Sequence, residues 1–271
     1  MDRKLTIIEP KSGWQLIDWK ELKEFRDMFF FLVWRDIKGK YAQSVLGVGW
    51  AVIQPVFTMV VFTIVFGNLA NVGSDGVPYA IFSFVALVPW TFFENSLTSS
   101  SNSMNIMITK IYFPRLVLPV ASILSRGVDF IISFLVLAVL LVWFQIIPTL
   151  WIVILPFLIV VLIITALGFG LWLSALSVQF RDIRHVLGFS TKLLMYAAPV
   201  VYPASYIPEE YRLLYALNPM VGVIEGFRSA FLATNPMPWD LIAVGTASAI
   251  IIALSGALYF KRREKFFADV I

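Results

Sequence analysis

Apolar runs of about twenty residues recur along the chain between short polar segments, and that spacing predicts helices that cross a membrane. A helix needs about 20 mostly apolar residues to traverse about 30 Å of hydrocarbon. Five stretches meet that length readily: 46–69, 80–100, 117–144, 150–178 and 241–260. A sixth, 186–202, is shorter and carries Lys192. Between 203 and 238 the pattern breaks. Pro203, Pro208, Pro219, Pro236 and Pro238 interrupt it, and so do Glu209, Glu210, Arg212, Glu225 and Arg228. Residues 220–232 are apolar but too few and too charged to span, so this region reads as two short helices that enter the membrane and return. Such re-entrant backbone survives only where protein or a water-filled cavity covers it.

Ahead of the first span, Leu22, Phe25, Phe29, Leu32 or Val33, and Ile37 recur at helical spacing against Lys23, Arg26, Asp27, Asp36 and Lys38. The fully apolar run 28–34 is far too short to cross. An amphipathic helix lying in the membrane interface fits cations on one face and aromatics on the other. The competing reading is a helix packed on the protein's own spans.

Charge orients the spans. Cytoplasmic loops carry the excess of Lys and Arg, counted close to the membrane ends. With the N-terminus inside and six spans, 19 of the 21 cations fall on the cytoplasmic side, leaving Arg212 and Arg228 outside. A seventh span at 203–238 would export the Lys261–Arg262–Arg263–Glu264–Lys265 tail. The expected fold is therefore an all-α integral membrane protein of six transmembrane helices with both termini inside. An interfacial segment over 1–45 precedes a six-helix transmembrane domain over 46–260, with an external re-entrant hairpin at 203–238 between helices 5 and 6. A basic cytoplasmic tail occupies 261–271.

Composition agrees and removes other classes. Hydrophobic residues make up 59% of the 271 positions and charged residues 14%, with a mean hydropathy of +0.85. A soluble domain is about half apolar and about a quarter charged, so the surplus must face lipid. The net charge of +4 is confined to segments flanking the apolar runs, which argues for membrane topology and against nucleic acid as a partner. There is no cysteine, hence no disulfide framework and no thiolate chemistry. The N-terminus does not read as a cleavable signal, because some forty residues rich in Lys, Asp and Glu precede the first apolar run, and the first span is expected to act as an uncleaved anchor.

Catalysis has little to work with. The one histidine, His185, is expected in a cytoplasmic loop beside Arg181, Asp182 and Arg184, and a transition-metal site needs more ligands than that. No metal site and no catalytic residue are assigned. The phosphate-cradling loop needs G-x-x-x-x-G-K-[ST], and Gly39-Lys40 is followed by Tyr41. If ATP powers this protein's work, its hydrolysis, with ATP and magnesium, would therefore belong to another polypeptide. Within the spans, Glu94 stands alone, and Arg126 and Asp129 are three apart on one helix face, which predicts a local ion pair. Trp50, Phe57, Trp90, Phe93, Tyr196 and Tyr202 sit on spans at varied depth. Aromatic faces stack on the C–H faces of sugar rings, so these six are candidates for lining a glycan channel; belt or core packing is the alternative for each.

Short segments then recur in a telling order. Trp34-Arg35-Asp36-Ile37-Lys38 and Tyr41 are followed by Ser44-Val45-Leu46-Gly47, Trp50-Ala51 and Gln54-Pro55. Pro89-Trp90-Thr91-Phe92-Phe93 with Asn95-Ser96 comes next, then Lys110-Ile111-Tyr112-Phe113-Pro114-Arg115. Phe180-Arg181-Asp182-Ile183, Pro199-Val200-Val201-Tyr202 and Asn218-Pro219-Met220 complete the set. From about residue 20 onward the chain resembles the permeases of polysaccharide-exporting ABC transporters. That resemblance implies a homodimer working with two copies of a nucleotide-binding ATPase subunit in the bacterial cytoplasmic membrane. The implied cargo is a lipid-linked glycan, O-antigen first, with capsule or teichoic acid as further options. It assigns Lys110, Ile111, Tyr112, Phe113, Pro114 and Arg115 to a cytoplasmic coupling loop. Trp34, Arg35, Lys38 and Tyr41 would stand at the substrate entrance, among membrane lipids. Asn218, Pro219, Met220, Glu225 and Arg228 would form the external gate. An integral-membrane glycosyl or phospholipid transferase would need clustered Asp, Glu or His in cytoplasmic loops that are instead short and cationic. A permease of the same type for a drug or lipid is the remaining rival.

Overall fold

A computed structural model describes residues 25–42, 44–104, 114–180 and 182–264. Among these residues the chain is all helical, with no strands. Helix α1 (Arg26–Tyr41) precedes α2 (Gly49–Phe62), which continues as a π-helix through Thr63–Leu69. Then come α3 (Tyr79–Ser103), α4 (Val117–Ser125), α5 (Gly127–Trp143), a 3-10 turn at Leu150–Ile154, and α6 (Leu155–Gln179). Helices α7 (Ile183–Ala197), α8 (Glu209–Tyr215), α9 (Pro219–Leu232) and α10 (Trp239–Glu264) complete the chain.

Five helical segments are long and apolar enough to cross a membrane: Gly49–Leu69, Tyr79–Ser103, Val117–Trp143, Leu150–Gln179 and Trp239–Glu264. They coincide with the five runs read from the sequence, and the chain is a polytopic membrane protein. The stretch expected as one span over 117–144 is divided at Arg126 into α4 and α5. The shorter sixth run falls on α7, whose 15 residues give about 22 Å at 1.5 Å per residue. The non-helical residues that follow, Ala198 to Val201, are buried in protein.

The core is built around α3. Phe82, Phe84, Val85 and Trp90 on α3 pack with Phe227 and Phe231 of α9 and Leu158 and Leu162 of α6. Helices α6 and α10 approach most closely at Gly168 and Gly256, where a Cβ on Gly256 would lie 2.3 Å from the Gly168 carbonyl oxygen. Small residues allow such backbone approach, which is the main source of helix association where lipid removes the hydrophobic drive. The outer faces of α5 and α10 carry Ile131, Leu135, Val139, Ile250, Ile251 and Leu254, all exposed. A purely apolar exposed face is what hydrocarbon solvates.

Helix α1 has apolar residues on two faces. Leu32, with Phe25, Met28, Phe29 and Val33, packs on Val117, Leu118 and Ala121 of α4 and on Phe260 of α10. The packed reading thus holds for the face that carries Phe25, Phe29 and Leu32. Phe30, Phe31 and Trp34 point away and are exposed, so an apolar surface remains for a leaflet. Asp36, expected on the solvated face, instead accepts a hydrogen bond from Ser122 Oγ of α4 at 3.2 Å.

Candidate translocation surface

Two polar centres stand at opposite ends of the bundle. The first gathers where α1 meets α5. Asp129, in the first turn of α5, accepts from Lys40 Nζ and from the Tyr41 hydroxyl at the end of α1. Arg126 Nη1 lies 3.9 Å from the same carboxylate, so the ion pair expected three residues apart is present, and the two α1 residues are additions. Arg126 Nη2 also donates to Ser99 Oγ of α3 at 2.9 Å. Burial, and then the hydrogen bond to Asp129, push the Tyr41 phenol above its ordinary range, which keeps it protonated as a donor. Of the residues expected at an entrance, Trp34 and Lys38 are exposed, Tyr41 is in this network, and Arg35 donates from Nη2 to Asp36 at 2.7 Å.

The second centre lies within the 203–238 region. Asn218 caps α9 by accepting from the Met220 amide at 3.1 Å, with Pro219 in the first helical turn. Both choices follow helix-start chemistry, in which a short polar side chain satisfies an orphan amide and proline loses nothing. Every residue of α9 is buried. Glu225 and Arg228, one turn apart, pair at 2.7 Å. The Arg228 guanidinium also donates to the carbonyls of Val200 at 3.0 Å and Tyr202 at 3.3 Å, and it lies 3.7 Å from the centroid of the Phe82 ring. Glu225 accepts the Ala204 amide at 3.3 Å, and the Tyr79 hydroxyl donates to the Val201 carbonyl at 2.6 Å. The proline-broken segment 199–204 is thereby tied to α3 and α9, its carbonyls satisfied by side chains where no helix can serve them. The short helix α8 precedes α9 at this end, as a pair of short helices was expected to.

The aromatic candidates divide. Trp50, Phe57 and Tyr196 are exposed, and Tyr202 is partly so. The Tyr202 hydroxyl meets that of Tyr215 at 3.1 Å, and the Tyr196 ring faces Phe66 of the π-helical segment with centroids 6.4 Å apart. Trp90 and Phe93 are elsewhere. They are buried inside the protomer at 1% and 3% exposure, with Phe93 edge-on to Phe169 of α6. Hydropathy could not separate these two groups, because both lie on apolar spans and only packing decides which side faces inward.

Of the expected coupling loop, Lys110, Ile111, Tyr112 and Phe113 lie outside the described residues, as do Leu22, Lys23, Arg181 and Lys265. Pro114 and Arg115 are described. Arg115 donates from Nη1 to the Glu264 carbonyl at 2.9 Å and from its amide to the Glu264 carboxylate at 3.3 Å, which joins the end of this loop to the last turn of α10. His185 lies in the first turn of α7, exposed, and not in a loop. Among the described residues no group of His, Cys, Asp and Glu is arranged to hold a metal.

Similarity to known proteins fits this architecture. The chain is 29% identical to the O-antigen export system permease protein RfbA of Myxococcus xanthus, over 91% of this chain and 96% of that protein. It is 26% identical to the RfbA permease of Klebsiella pneumoniae over 90% and 95%. It is 24% identical to the polysialic acid transport protein KpsM of Escherichia coli over 85% and 91%. Residues 28–232, from α1 to the end of α9, match the ABC-2 type transporter family, and the chain belongs to that family of membrane permeases.

Proposed function

We propose that this chain is the transmembrane subunit of an ATP-driven exporter that moves a lipid-linked polysaccharide across the bacterial cytoplasmic membrane. The observation that carries the reading is the similarity, along nearly their whole length, to permeases named for O-antigen and polysialic acid export. A relative named only as an inner membrane transport permease, YadH of Escherichia coli, is matched over a smaller share, 69% of this chain. The glycan-exporting reading is therefore favoured over a drug or lipid permease.

In the working assembly two copies of the chain pair with two copies of an ATPase subunit that binds ATP and magnesium. Both termini are cytoplasmic. Helix α7 with the buried residues after it makes the fifth of six spans, and the α8–α9 hairpin closes the external end. Non-helical backbone at that depth is acceptable because Arg228 and Tyr79 satisfy its carbonyls. The lipid tail of the cargo stays in the bilayer, while its glycan, which cannot cross hydrocarbon unaided, passes between protomers. Trp50, Phe57, Tyr196 and Tyr202 line that route; Trp90 and Phe93 support it from within. Lys110 to Arg115 couple to the ATPase, and closure of the ATPase pair moves this loop and, through Arg115 and Glu264, the end of α10.

Two measurements test the reading. ATP hydrolysis by the co-purified complex is expected to rise when lipid-linked glycan is added. Replacing Tyr112 and Phe113 together by Glu is expected to abolish export while the protein still inserts in the membrane; retained export would remove the coupling role from this loop.

A further inference from the structure

Helix α3 is the most enclosed span, yet it has one open face. From Ile81 to Ser103, the residues that are not buried are Thr91, Glu94, Asn95, Thr98, Ser99 and Asn102, and every one is polar. Their spacing of three and four places them on a single stripe. The contrast with α5 is direct, since the exposed residues near its middle are Ile131, Leu135 and Val139. The stripe runs from Thr91 to Asn102, about 16 Å of helix at 1.5 Å per residue, or about half of a 30 Å hydrocarbon layer. It ends at the cytoplasmic side by the charge assignment above. Thr91 and Thr98 return their hydroxyls to the Leu87 and Glu94 carbonyls of their own helix at 2.8 and 3.1 Å, a bond that lets threonine face lipid. Asn95 and Asn102 are exposed amides with no hydrogen-bond partner among the described residues, and an amide without a partner is poorly tolerated in hydrocarbon.

The stripe has walls. Thr191 Oγ1 of α7 donates to Glu94 at 3.3 Å on one side, and Arg126 of the α4–α5 junction donates to Ser99 on the other. Toward the outer end α7 meets the continuation of α2 at the Tyr196–Phe66 contact. Lys192, one turn before Tyr196 on the same face of α7, is exposed and has no carboxylate partner among the described residues. A cation at such depth is kept where water or an anion compensates it.

Resting on the function proposed above, we propose that the α3 stripe is the cytoplasmic half of the translocation route, a hydrated track that hydrogen-bonds the glycan, with Lys192 as the contact for the phosphate joining glycan to lipid. The inner half of the route then works by amides, hydroxyls, the Glu94 carboxylate and the Lys192 cation, with Trp50 at the cytoplasmic start of α2, and Tyr196 and Tyr202 serve the outer half. A second copy of this chain covering the stripe directly, amide to amide, is the alternative that the test separates.

The chain has no cysteine, so single cysteines report cleanly. Asn95→Cys, Thr98→Cys and Asn102→Cys are compared with the lipid-facing Leu135→Cys and Val139→Cys, each in the chain co-expressed with its ATPase in inverted membrane vesicles. A charged, membrane-impermeant thiol reagent is expected to label the three stripe positions at least tenfold faster than the two controls. Undecaprenyl pyrophosphate bearing a short oligosaccharide is expected to slow that labelling several-fold, while undecaprenyl phosphate alone and free pyrophosphate leave it unchanged. Lys192→Gln is expected to raise about tenfold the concentration of this lipid needed for protection, and Lys192→Arg to restore it. Stripe labelling as slow as at Leu135→Cys, disulfide formation between the two copies at Asn95→Cys, or labelling unaffected by the lipid-linked oligosaccharide would each overturn the track. Protection indifferent to Lys192→Gln would remove the phosphate contact. Failure of the glycan to stimulate ATP hydrolysis in the cysteine-free parent would instead sink the function proposed above, so the two failures are distinguishable.

Discussion

At the α8–α9 pair, Arg228 is 1% exposed and its guanidinium is shared among Glu225, two backbone carbonyls and an aromatic face. At the other end, Asp129 is approached by Lys40, Tyr41 and Arg126, but the side chains of Lys40 and Arg126 keep 31% and 20% exposure. Both centres are built on ion pairs, one within α9 and one between α1 and α5, and they do different work. A fully desolvated pair is costly to assemble and far more costly to leave half-made. Arg228 therefore fixes the broken segment 199–204 in one place. The Asp129 centre keeps water within reach, so its members exchange protein partners for solvent at small cost. One is a fastening, and the other is a joint between α1 and the bundle.

The largest effect that would break this contrast is at Arg228. Arg228→Met leaves Glu225 buried without its cation, and a loss of about 3–5 kcal/mol is expected. Thermal melting of the purified protein in detergent would show it, and Glu225→Gln added to Arg228→Met is expected to recover part of the loss. A wild-type melting curve for Arg228→Met would mean that the hairpin is held by packing alone. At the joint, Asp129→Asn removes the charge that three groups share. About 1–2 kcal/mol is expected, toward the low end for hydrogen bonds to a charged group because solvent reaches the site. Spin-label distances between α1 and α5 are expected to broaden in that variant; unchanged distances would argue that the apolar contacts of Leu32 suffice. Asn218→Ala takes away the α9 cap and is expected to cost about 1 kcal/mol, read in the same melting experiment. Tyr41→Phe gives the smallest shift, about 0.5 kcal/mol, the low end for one hydrogen bond. A larger loss for Tyr41→Phe than for Asn218→Ala would reverse the ranking of the two ends.

Much of the bundle was readable from hydropathy, because a membrane requires each spanning segment to satisfy its own backbone and be apolar along its length. The five long helices follow from that, while the paired short helices of 203–238 were marked by prolines and charges, and the proximity of Arg126 and Asp129 by their three-residue helical spacing. What hydropathy misjudged has a common cause. The single span expected over 117–144 is present as Val117–Trp143, but an average over the run passes across Ser125-Arg126-Gly127 and did not show the break between α4 and α5. Asp36 was read as solvated because a charge usually is, yet it faces Ser122. Trp90 and Phe93 stand on the same kind of apolar run as Trp50 and Phe57, and nothing in a run of apolar residues says which of its faces meets another helix.

Sequence alone was enough to show that this protein lives in a membrane, which of its segments are long and apolar enough to cross one, and which family it resembles. Those are properties of composition and of local order, and lipid enforces them residue by residue. Which side of each helix is inside came from packing. Burial of α3 on every face but one turned a scattered series, Thr91, Asn95, Thr98 and Asn102, into a continuous polar stripe. In the same way Arg228, a charge that seemed to forbid membrane burial, became the buried centre of the hairpin, because Glu225, Val200, Tyr202 and Phe82 surround it there. A polar residue in a membrane segment has its meaning fixed by its partners, and partners distant in sequence are set by packing.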